Sequence, residues 1–161
     1  MRRVSLNEMP SSAKVWIYQS DRIISSGEKE RISNALSDFL SNWDSHQNPL
    51  KCYGDIWYDA FIVIMVDEEV NHASGCSIDK SVHFIKDIEK EIGLNLMDRM
   101  IFAYKDSDAV MLISRAEFQS ALNNGSINED TIVFNNLVTN KAEFELKWEV
   151  PLKESWHKQL C

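Results

Sequence analysis

Phe61-Ile62-Val63-Ile64-Met65-Val66 is an unbroken run of six apolar residues, four of them β-branched. A strand of that content has no polar side to turn toward water, so it must be covered on both faces. Any fold open to this chain has to supply a layer above the run and a layer below it. Downstream the pattern changes period. Ile78, Val82, Ile85, Ile88 and Ile92 recur at helical spacing. Between strand and helix lies the small-residue segment Ala73-Ser74-Gly75-Cys76-Ser77.

That junction is where the sequence concentrates chemistry. Ser77 is expected to cap the helix, its hydroxyl accepting from a free amide one turn in, and Gly75 to relieve a positive φ in the turn. Free N–H groups and the positive end of the helix dipole would then meet at one place. Ser74, Gly75, Ser77 and Lys80 are the candidate residues for a small anionic ligand, including a phosphate or nucleotide bound without a P-loop. Cys76 stands at the same spot, the usual setting of a reactive thiol. With His72, Asp79 and His83 close in sequence, Cys76 and His83 are the candidate catalytic pair of a small enzyme or redox sensor. The plain alternative is that Ser77 caps, Cys76 packs as a small apolar residue and His83 lies on a half-exposed helix face. Ser77-x-x-Lys80 matches a serine–lysine dyad, but neither Ser-Asp-Asn nor Lys-Thr-Gly accompanies it. His72, Cys76 and His83 lack a fourth zinc ligand and a familiar zinc spacing. No cofactor is implied.

The 161 residues, 44% hydrophobic, suit one compact domain or two small units sharing a core. A net charge of −8 argues against a nucleic-acid backbone or an anionic membrane as main partner. Cys52, Cys76 and Cys161 are odd in number and widely spaced, which fits a reducing compartment rather than a disulfide framework. No apolar run approaches the ~20 residues that span a bilayer, and no signal peptide is read at Met1-Arg2-Arg3. The expected location is the cytoplasm, with no membrane insertion.

In order, residues 1–13 read as a loose lead-in. Lys14–Gln19 reads as a strand, and Ser25 with Glu28 as a capping box opening a helix that carries Ile32, Leu36, Phe39, Leu40 and Trp43 on one stripe. Asp44 to Pro49 connects. Cys52–Tyr58 and Phe61–Asp67 form a hairpin turning at Asp59-Ala60. The helix after the Ala73-Ser74-Gly75-Cys76-Ser77 junction stops at Gly93, and Met100–Tyr104 is the next strand. Strand, helix, strand, strand, helix, strand is the ferredoxin-like βαββαβ order, an α+β sandwich with both helices on one face of an antiparallel sheet. Residues 14–104 form that body. Residues 105–161 add a β-α-β extension, with a second capping box at Ser114 and Glu117 and a tail whose Phe144, Trp148, Val150, Leu152 and Trp156 pack back on the body.

Two resemblances follow from particular residues. Val15-Trp16-Ile17-Tyr18-Gln19-Ser20, Ser74 through Lys86, Asp130 through Val138 and Trp148 through Lys158 resemble a family of short bacterial proteins often labelled "ABC transporter ATPase". That label implies nucleotide hydrolysis. The Gly-x-x-x-x-Gly-Lys-Ser/Thr loop such chemistry needs and the Leu-Ser-Gly-Gly-Gln motif are both missing from this sequence. Locally, Ser114-x-x-Glu117-Phe118, Leu122, Gly125-x-Ile127 and Asp130-Thr131-x-Val133-Phe134 resemble the second type of GYF domain, which implies a peptide-binding unit, although the Gly-Tyr-Phe triad is missing. With no complete catalytic set, the sequence is read first as a non-catalytic binding or adaptor protein with a protein or peptide partner.

Overall fold

The structure, a computed structural model, describes residues 3–161. Nine strands and four α-helices follow one another among them: β1 (Lys14–Gln19), α1 (Ser26–Asn42), β2 (Asp44–Ser45), β3 (Asn48–Pro49), β4 (Cys52–Trp57), β5 (Phe61–Val66), α2 (Gly75–Ile92), β6 (Ile101–Asp106), β7 (Ala109–Ser114), α3 (Arg115–Asn123), β8 (Ile132–Phe134), α4 (Lys141–Lys147) and β9 (Glu149–Pro151). The fold is α+β, and every ladder between these strands is antiparallel.

The oily run becomes β5, the middle strand of a three-stranded sheet ordered β1-β5-β4. All six of its residues are 0% exposed. Alternation splits them between two cores. Ile62, Ile64 and Val66 face α1 and α2, joining Ile32, Leu36, Leu40, Ile85 and Ile88. Phe61, Val63 and Met65 face the other way, onto Ala103, Phe134, Phe144 and Trp148. The lower layer that the sequence demanded is therefore a second sheet, ordered β7-β6-β8-β9. A third core lies beyond it, where Phe102, Val133 and Leu152 meet Phe118 of α3 and the C-terminal turns. The layers run helices, sheet, sheet, then helix and tail.

The element order alone places Ile101–Asp106 beside β1. In the structure this strand pairs with β7 and β8 instead. A side chain links it to β1, the Gln19 amide donating to the Ile101 carbonyl at 2.8 Å. Part of the outer edge of β1 is already taken, since the Val15 amide donates to the Thr139 carbonyl. The segment before β1 is also tied down. Met9 and Ala13 are buried, and the Lys141 ammonium donates to the Leu6 and Met9 carbonyls at 3.0 and 2.7 Å.

Local signals account for most element ends. Ser25 and Glu28, and Ser114 and Glu117, form reciprocal capping boxes. Gly93 closes α2 in the left-handed region at φ 78°. The β4–β5 hairpin turns on Tyr58 and Asp59, both at positive φ. Gly54 in β4 is closely packed: a Cβ there would lie 2.7 Å from a terminal methyl of Leu40 in α1, which would have to shift.

Candidate functional site

The start of α2 differs from the sequence reading by one turn. Ser74, not Ser77, is the N-cap, and the two serines satisfy each other's amides. Gly75 is the first helical residue and has no positive φ. Ser77 is buried, and its hydroxyl donates to the Asp44 carbonyl at 2.7 Å. Lys80 reaches the carboxylate of the same aspartate at 2.9 Å. Of the four candidate residues, Ser77 and Lys80 both engage the β2 residue Asp44, while Ser74 caps the helix and Gly75 opens it.

Cys76 is exposed in the first turn of α2. His83 is seven residues on, about 10 Å along the axis at 1.5 Å per residue, and the two share no hydrogen bond. The His72 ring is turned to solvent and faces Glu68 at 3.5 Å. No hydrogen bond joins the Cys76 thiol to His72 or His83 among the described residues. Among the described residues, no group of three or more His, Cys, Asp or Glu side chains could hold a metal ion.

The inward face of α2 is also rotated from the isoleucine stripe. Ser77, Ser81, Ile85 and Ile88 are the buried positions. The Ser81 hydroxyl donates to the Ile78 carbonyl at 2.6 Å, and burial raises the Tyr18 phenol of β1 above its ordinary pKa, with Ser81 acting the other way. With this rotation Phe84 is brought to the seam with α1. Its ring stacks on Phe39 at 4.6 Å and 12° between planes, and Phe39 in turn touches Trp43 at 5.2 Å. The Trp43 indole N–H donates to the Ser77 carbonyl at 2.9 Å, which locks the end of α1 to the start of α2.

Between the two helices runs a groove of about 740 Å³ lined by these three aromatics. Asp38, Asp87 and Glu91 also line it, against Lys80 and His83. The charge of Lys80 is answered by Asp44, and Glu91 meets Arg31 at 3.3 Å with both side chains more than half exposed. The groove thus has an apolar aromatic wall and an acidic margin. The stripe of α1 announced Phe39 and Trp43 as apolar; Phe84 fell off the isoleucine stripe, and only the pairing of the two helices shows its place.

A second polar cluster joins the two sheets. Lys105 of β6 pairs with Glu149 of β9. The Tyr58 hydroxyl donates to Glu149, and the Lys105 ammonium sits 4.7 Å from the Tyr58 ring centre. Burial, with Glu149 adding to it, raises the Tyr58 phenol above its ordinary pKa. The hydrogen bond to Glu149 raises Lys105. The cluster backs onto Phe134 and Trp148 and ties the β4–β5 hairpin to the second sheet. No helix is long and apolar enough to cross a membrane among the described residues. No family model, curated protein or solved structure matches the chain.

Proposed function

We propose that the protein is a non-catalytic binding protein whose α1–α2 groove receives a short amphipathic helix of a partner protein, apolar on one face and flanked by Lys or Arg. The observation that carries this reading is the stacked Phe39–Phe84 pair lining a groove of about 740 Å³ whose carboxylates outnumber its cations. Helix-in-groove recognition uses apolar anchors at i, i+3 or i+4 and i+7 against such a surface. Aromatic side chains supply most of the contact energy in such a groove. With Lys80 answered by Asp44 and Glu91 by Arg31, the carboxylates of Asp38 and Asp87 remain to favour a basic over an acidic partner and raise its on-rate. The free thiols at Cys76 and Cys161 go with a cytoplasmic setting. We read the β1-β5-β4 sheet with its two helices as a ferredoxin-like body whose last strand has been given to the second sheet.

Selection from a library of short helical peptides tests the proposal. Recovered peptides should carry the spaced apolar anchors and basic flanks. Phe84→Ala should weaken them at least tenfold, about 1.4 kcal/mol, and Asp87→Lys should weaken them more at low salt than at high salt. Recovery of no such peptide, or binding that is indifferent to both substitutions, would overturn it.

A further inference from the structure

β7 ends the second sheet, and its outer side has no strand beside it among the described residues. Its sequence, Ala-Val-Met-Leu-Ile-Ser, has no charge and no proline. The other edges are blunted. Val4 and Arg3 lie along β4, Thr139 covers the start of β1, and β9 is three residues long and ends in Pro151. Long apolar edges without charge, proline or bulge are templates for further pairing, and β7 pairs with β6 without a bulge over all six residues.

The hydrogen-bond phase of this ladder is fixed by the Arg115 amide, which donates to the Met100 carbonyl at 2.8 Å. In the register that pairs Ile101 with Ser114, this turns the backbone groups of Ala109, Met111 and Ile113 toward β6. Those of Val110 and Leu112 point outward, to the side where no strand lies beside β7 among the described residues. The Ser114 amide, also outward, is taken by Glu117. The open groups are therefore symmetric about Met111.

We propose that the chain associates with a second copy of itself along β7, antiparallel about a two-fold axis at Met111, so that the two four-stranded sheets become one of eight strands. Val110 of each copy pairs with Leu112 of the other, and all four outward groups are satisfied at once. The inner side chains agree, since Val110 and Leu112 already pack against the core between the sheets and would extend it across the junction. Met111, 36% exposed on the other face, would meet its own counterpart. The ends agree in charge. The same register sets Asp108 of one copy opposite Ser114 of the other, so the acidic turn Asp106-Ser107-Asp108 faces Arg115, and all of these charged residues are exposed. An isologous contact needs this self-complementarity.

Sedimentation equilibrium of the full chain should give twice the 18.6 kDa of one copy. Leu112→Pro removes only an outward N–H, which an edge strand tolerates, and Val110→Lys places a charge on the edge; each should return the single-chain mass with unchanged far-UV circular dichroism. Met111→Cys, made with Cys76→Ser and Cys161→Ser, should cross-link on mild oxidation, because residues opposed across a non-hydrogen-bonded position lie within disulfide reach. A wild-type chain that stays at single mass into the millimolar range, a dimer that survives both edge substitutions, or no cross-link at position 111 would each overturn the proposal. The cross-link decides the matter if an edge variant fails to fold.

Discussion

His157 should make the protein acid-sensitive in a defined pH window. The ring is 2% exposed, stacks on Trp156 at 3.9 Å and faces Phe102 and Phe118. Its Nδ1 shares a hydrogen bond of 2.7 Å with the Ser155 hydroxyl. Burial lowers its pKa from the ordinary 6.5 to about 4, because a charged imidazolium there would lose its water. The unfolded chain takes up this proton below pH 6.5, and the folded chain only near pH 4. The contribution is therefore fully present above the unfolded value and is lost as pH falls toward the folded one. Each pKa unit is worth about 1.4 kcal/mol, so the full loss is about 3 kcal/mol, with about 2 kcal/mol of it gone by roughly pH 5. Urea melts across this range, compared with those of His157→Gln, isolate the effect. Wild type should lose about 2 kcal/mol more than the variant between about pH 7.5 and pH 5. Equal pH slopes in the two proteins would refute the reasoning.

Three further outcomes follow from the packing. Gly54→Ala, which drives a methyl against Leu40 at 2.7 Å, should cost about 1–3 kcal/mol in denaturant melts, whereas Gly27→Ala, with nothing within 4 Å, should not destabilise by that route. Lys141→Met leaves the Leu6 and Met9 carbonyls without their charged donor and should cost about 1–3 kcal/mol; hydrogen exchange and proteolysis should quicken first in residues 3–13. A native thiol-reactive label should modify exposed Cys76 and Cys161 quickly and buried Cys52 only on unfolding, as read by intact mass.

How far the sequence foretold this molecule depended on the range over which each decision is made. β5 was legible because six apolar residues in a row leave no other arrangement, and its burial at 0% on both faces follows. The boxes Ser25–Glu28 and Ser114–Glu117 and the stop at Gly93 were legible because each is complete within four residues or one backbone angle. The cap of α2 was not, since Ser74 and Ser77 are equal candidates by type, and the contact of Ser77 with Asp44 lies outside the local pattern. The sheet that β6 joins is likewise a long-range choice, made by its hairpin with β7 and by Val133. α4 is a seven-residue helix with Phe144 as its buried apolar residue, too short for a period to show. The groove escaped because it is a long-range feature: Phe39 and Phe84 become one surface only when two helices from distant parts of the chain lie side by side.

Amide shift mapping of the isotopically labelled protein with a selected basic helical peptide tests the central claim most directly. The account predicts saturable shifts confined to the facing sides of α1 and α2, from Ala35 to Trp43 and from Lys80 to Glu91, with the Trp43 indole N–H, bonded to the Ser77 carbonyl, among them. Shifts centred on α3 and the C-terminal turns, or a peptide that binds and leaves the Phe39–Phe84 seam unmoved, would contradict it.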